Sequence, residues 1–72
     1  MKAIEEIRKE HGLSQTQFAI AIGSTLRTYQ GRLDGTQPKW LLSEVISASE
    51  MNNGKVAIPI GDELFEITVK KV

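Results

Sequence analysis

No cysteine occurs among the 72 residues of this chain, so neither a disulfide framework nor a zinc ribbon supplements its core, and stability must come from packing alone. A chain of this length makes one small domain, residues 1–72, and buries only roughly 60% of its unfolded surface. Long apolar runs are missing too. Nothing approaches the ~20 apolar residues of a membrane span, and the opening "MKAIEEIRKE" alternates charge with single isoleucines instead of building a signal peptide's apolar stretch. A soluble, cytoplasmic protein is the expectation. An excess of charge of one sign is also absent: nine Lys and Arg balance nine Asp and Glu. Nucleic-acid binders gain affinity by releasing counterions from phosphates, so zero net charge weakens the case for tight non-specific DNA binding while leaving room for a local patch. Histidine is nearly absent. With His11 alone and no cysteine, a metal site is not expected, and no Ser, acid and His spacing suggests catalysis. Neither an enzyme nor a cofactor-binding protein is expected.

What is present is punctuation. Ile4 and Ile7, three apart among charges, mark a first helix over about 2–11 that stops at Gly12. Ser14 and Gln17 fit a capping box, which predicts a second helix over 15–22 with Gly23 as the turn. Thr25 can cap a third helix over 26–34, closed by Gly35 and carrying Gly31 inside it at a cost of up to ~1 kcal/mol relative to alanine. Pro38 can open a fourth helix over 39–51 that buries Leu41, Leu42, Val45, Ile46 and Ala48. After Gly54 the apolar period changes to two. Val56, Ile58 and Ile60, then Phe65, Ile67 and Val69, predict a hairpin over 55–71, with Glu66, Thr68 and Lys70 toward water and Pro59 where no N–H is needed.

The order of signals from Leu13 to Gly35, "LSQTQFAIAIGSTLRTYQGRLDG", with "LSQxxFA", a turn glycine and a Thr cap, resembles the helix-turn-helix of the phage repressor and Cro family. The resemblance covers about residues 4–51 and implies a mostly α, lambda-repressor-like domain of four to five helices, here followed by a small β-hairpin. It implies that Gln15 touches phosphate and that Leu26, Arg27, Thr28 and Gln30 face base edges or phosphates. Arg27 and Gln30 have suitable chemistry, since Arg pairs with guanine and Gln with adenine through two hydrogen bonds each. Three positions depart from the family pattern. Leu26 offers no hydrogen bond where a polar residue is usual, Arg32 stands at a common core position, and Leu33 stands where an acid is frequent.

The whole chain, through "GSTLRTYQGRLDG", the single "PKW" and the terminal hairpin, is similar to the modulator-of-repression proteins of temperate lactic-acid-bacterial phages. That likeness implies an antirepressor of the lysis-lysogeny switch, acting in the bacterial host's cytoplasm. Its partner would be a CI-type repressor whose DNA binding it blocks. The runner-up is a Cro-like repressor that binds operator DNA directly through Arg27, Thr28 and Gln30, and a weaker third reading is an antitoxin-like regulator.

Leu26, Tyr29 and Leu33 form an apolar stripe on the third helix, flanked by Arg27, Gln30 and Arg32, which packs on the core or meets a protein partner. On the partner reading, Tyr29, Arg27 and Arg32 are contact residues. Trp40, next to Lys39 at the start of helix four, is a core lid or an interface anchor.

Overall fold

The computed structural model describes residues 1–37 and 39–70. Four helices, α1 (Ile4–Glu10), α2 (Gln15–Ala21), α3 (Leu26–Asp34) and α4 (Leu42–Glu50), precede an antiparallel hairpin of β1 (Lys55–Ile60) and β2 (Glu63–Thr68). It is a small mixed α/β domain, with the hairpin at its C-terminal end. Among the described residues no helix is long and apolar enough to cross a membrane.

Local signals account for the first three helices. Glu5 and Glu6 in the first turn of α1 and Arg8 and Lys9 in its last complement the helix dipole. Ser14 Oγ accepts the Gln17 N–H at 3.1 Å while Gln17 Oε1 accepts the Ser14 N–H at 2.9 Å, so both halves of the capping box are made. Thr25 Oγ1 accepts the Thr28 N–H at 3.2 Å, and Gly35, with φ +87°, ends α3 in the left-handed conformation. Ile4, Ile7, Phe18, Ala19, Ile22 and Tyr29 carry the helical side of the core, and Val45, Ala48, Val56 and Ile58 close it from α4 and β1.

The first helix is shorter than the expected 2–11 because the chain before it has other work. The Lys2 carbonyl accepts the Ala57 N–H at 2.8 Å, and Ala3 bridges Ala57 in parallel, so this segment lies along β1 as a third, very short strand-like piece. Ala57 is therefore buried although it sits on the opposite face from Val56 and Ile58. Pro59 shares the parity of Ala57, so its nitrogen points away from β2 and no ladder bond is lost.

The fourth helix differs more. It begins at Leu42 instead of residue 39, with Lys39, Trp40 and Leu41 in non-helical backbone; Pro38, the expected opener, lies outside the described residues. What starts the helix is a long-range contact. Glu44 reaches back to accept the Leu41 N–H at 2.8 Å, and Glu44 is itself held by Arg32 of α3. Anchoring that carboxylate turns Glu44, Val45, Ala48 and Ser49 inward and leaves Leu41 and Leu42 exposed, contrary to the apolar pattern.

The hairpin register pairs Val56 with Ile67, Ile58 with Phe65 and Ile60 with Glu63 around a two-residue turn, Gly61–Asp62. Gly61, at φ +63°, suits the Gly-first type of hairpin turn. Expected burial holds for Val56 and Ile58, but Ile60 and Phe65 are about half exposed, at 51% and 45%, and Ile67 and Val69 are half-buried. α1 and α4 pack on β1, which leaves β2 as an outer strand. The expected hairpin extends to residue 71, and Lys71 lies outside the described residues.

Candidate interaction surface

Two surfaces compete: the exposed side of α3 with the start of α2, and the face formed by the α3–α4 connection, α4 and the hairpin.

On the first, Gln15 and Gln30 meet. Gln30 Nε2 donates to Gln15 Oε1 at 3.1 Å, and Gln15 Nε2 reaches Glu5 at 3.4 Å, so each amide is already engaged within the protein. Thr28 accepts from the Thr25 hydroxyl at 3.1 Å. Leu26 is half-buried, whereas Arg27 is exposed and makes no ion pair among the described residues.

Two residues expected as contacts turn out to be interior. Tyr29 is fully buried, its ring edge-on to Phe18 at 5.5 Å and to Trp40 at 6.4 Å between centroids. Its hydroxyl donates to Glu5 Oε1 at 2.6 Å. Arg32 has only 10% of its side chain exposed; its Nε donates to Glu44 Oε1 and its Nη1 to the Gln37 carbonyl, both at 3.1 Å. Neither can touch a partner without opening the core. Of the two readings of the α3 stripe, Tyr29 follows the packed one.

Glu5 is a hub that sequence reasoning passed over. Burial alone would raise the pKa of its carboxyl, but hydrogen bonds from Arg8, Tyr29 and Gln15 and the Arg8 charge outweigh burial and hold it below its ordinary value. Arg8 donates from both Nε and Nη2, at 3.1 and 2.8 Å. Burial first, then the bond to Glu5, raises the Tyr29 phenol far above its usual range. No local spacing signals this cluster, because Glu5 and Tyr29 lie 24 residues apart. Glu44 had one usable signal: an arginine at a core position of α3 requires a buried acid.

On the second surface Leu41, Leu42, Ile60 and Phe65 are exposed. Trp40 is half-buried against the core, as a lid, with Lys39 exposed beside it. Trp40, Leu42, Val45, Ile58, Ile60 and Ile67, with Lys39, line a groove of about 500 Å³. The Trp40 Nε1–H is buried and has no acceptor among the described residues. His11, at the far end of α1, bonds the Met51 carbonyl through Nε2 at 2.9 Å, and no three acidic or histidine side chains converge to hold a metal among the described residues.

Set against known protein families, characterised proteins and solved structures, the chain finds no match.

Proposed function

We propose that this protein is a phage antirepressor: α2 and α3 form a helix-turn-helix pair of the repressor type, and the protein binds a CI-type repressor and blocks its access to operator DNA. The observation that carries this reading is the engagement of Arg32. Of the two arginines on α3, Arg32 is bound to Glu44 and the Gln37 carbonyl, so only Arg27 is available to phosphates or guanine. A helix with one available cation releases few counterions, and the mutual bond of Gln15 and Gln30 further reduces its capacity to read bases. The exposed apolar surface at Trp40, Leu42, Ile60 and Phe65 suits a protein partner instead.

The exposure of Arg27 and Gln30 along α3 favours a second reading, direct operator binding in the manner of Cro. One titration separates the two. The operator complex of a CI-type phage repressor is followed by fluorescence anisotropy as the protein is added, with the protein alone on the same operator as the second arm. Release of repressor without binding by the protein alone supports the antirepressor; nanomolar, sequence-selective binding by the protein alone at physiological salt supports the Cro-like reading.

A further inference from the structure

We infer that the groove between the α3–α4 connection, α4 and the hairpin, together with the acidic hairpin tip, is the surface that receives the repressor, and that what it receives is the repressor's basic DNA-binding face. This inference rests on the antirepressor reading. A protein that holds operator DNA must present lysines and arginines to phosphates. A protein that covers that face must meet those cations with acids and supply enough apolar area to hold on. The exposed side of α3 has neither, since its available charge is Arg27, of the wrong sign, and its amides bond each other.

The hairpin side has both. Leu42 is 73% exposed at the mouth of the groove, and Phe65 stands opposite Ile58 on the hairpin face that carries Ile60 and Ile67. Glu63 is paired with Ile60 on that same face, Asp62 occupies the turn, and both are exposed. Asp34, at the end of α3, borders the same depression as Asp62. Arg32 also borders this depression, and its charge is already matched by Glu44. The acidic tip is thus not neutralised by Arg32; Lys39, beside Trp40, is an exposed cation on the lining of the groove itself, so the acids offered to the partner's cations are those of the tip. Lys55, paired with Thr68, and Lys70 lie at the opposite end of the hairpin, which separates the charges along its length.

The test is binding of the full-length repressor to four forms of the protein, each checked by circular dichroism: the parent, Asp62→Lys with Glu63→Lys, Leu42→Ser, and Arg27→Ala. The inference expects the charge-reversed form to bind at least about tenfold more weakly, with the gap narrowing as salt rises. Leu42→Ser should weaken binding several-fold, and Arg27→Ala should change it less than about twofold. Unchanged binding by the first two variants with loss in Arg27→Ala would move the interface to α3 and overturn the inference while leaving the antirepressor reading in place. Self-association of the parent that Leu42→Ser abolishes, without loss of repressor binding, would assign the groove to a second copy and overturn it too. A parent that binds no repressor overturns both.

Discussion

Arg32 and Glu44 form an ion pair sealed between α3 and α4: Nε lies 3.1 Å from Oε1, and the side chains are 10% and 2% exposed. The same Oε1 accepts the Leu41 N–H that opens α4, so one carboxylate fixes both the contact between the helices and the start of the second. Removing one member of a buried pair leaves the other charge unmatched, at a cost of about 3–5 kcal/mol. Arg32→Ala and Glu44→Ala should each lower the melting temperature by more than about 12 °C, given roughly 4 °C or more per kcal/mol in so small a domain. Arg32→Met with Glu44→Leu should recover much of that loss. A drop of only about 2 °C in either single variant, measured by thermal denaturation, would show that the pair is not needed.

Glu5 and Tyr29 make stability depend on pH in acid and in alkali. Glu5 has a folded-state pKa below its ordinary 4.5, so its contribution is complete above that value and is lost as pH falls through the folded one. The phenol is raised above its ordinary 10.0, so its contribution is complete below that value and is lost as pH climbs beyond it. Tyr29→Phe keeps the ring contacts and removes the donor, which should cost about 1.5 kcal/mol at neutral pH. The difference between parent and variant, from urea titrations, should stay level from about pH 5 to 9 and shrink in acid. A difference that grows in acid would contradict this assignment.

Ile58 and Phe65 face each other across the hairpin with opposite burial, 2% against 45% exposed. Ile58→Ala should cost about 3 kcal/mol by cavity formation, whereas Phe65→Ala should cost less than about 1 kcal/mol. Equal losses in chemical denaturation would mean that β2 is covered in solution.

These contrasts show where the sequence was legible. Ser14, Gln17, Thr25 and Gly35 act within three or four residues of their partners, so the bounds of α2 and α3 could be read locally. The start of α4 could not, because Glu44 is placed by an arginine twelve residues away. Alternation predicted which hairpin residues share a face but not how far the helices would cover that face, so Ile60 and Phe65 were expected to be buried. At the candidate surface, Lys39 and Trp40 were found as neighbours of a possible interface, whereas Tyr29 and Arg32 were drawn inward by Glu5 and Glu44, partners that no short-range pattern reveals.

Gly31 has a reason that composition hides. A Cβ there would lie 3.0–3.2 Å from the Gln37 side chain, which folds back over α3. Alanine's helix propensity, worth up to ~1 kcal/mol, is therefore opposed by crowding. In a Gln37→Ala background the two closest atoms, Cγ and Nε2, are gone and the Cβ contact at 3.2 Å remains, so Gly31→Ala should be more favourable there than in the parent background, by up to about 0.5 kcal/mol. Equal gains in both backgrounds, from a double-mutant cycle of melting curves, would discard Gln37 as the cause.

DNA affinity gives the sharpest measure of how α3 is used. Each phosphate neutralised contributes about −0.9 to the slope of log affinity against log salt. With Arg32 held by Glu44, Arg27 is the cation α3 can offer, and the acids Asp62, Glu63 and Asp34 elsewhere on the surface oppose approach to DNA. The protein alone should bind duplex DNA with a dissociation constant of about 10 μM or weaker at physiological salt, with a slope of about −1 to −2 and no preference for operator over scrambled sequence. Arg27→Ala should flatten that slope by about 1, whereas Arg32→Met with Glu44→Leu, which keeps the helix packed but removes the interior arginine, should leave it unchanged. A slope steeper than about −4 would require cations beyond Arg27 at the phosphates, and together with operator preference it would transfer the function to direct DNA recognition.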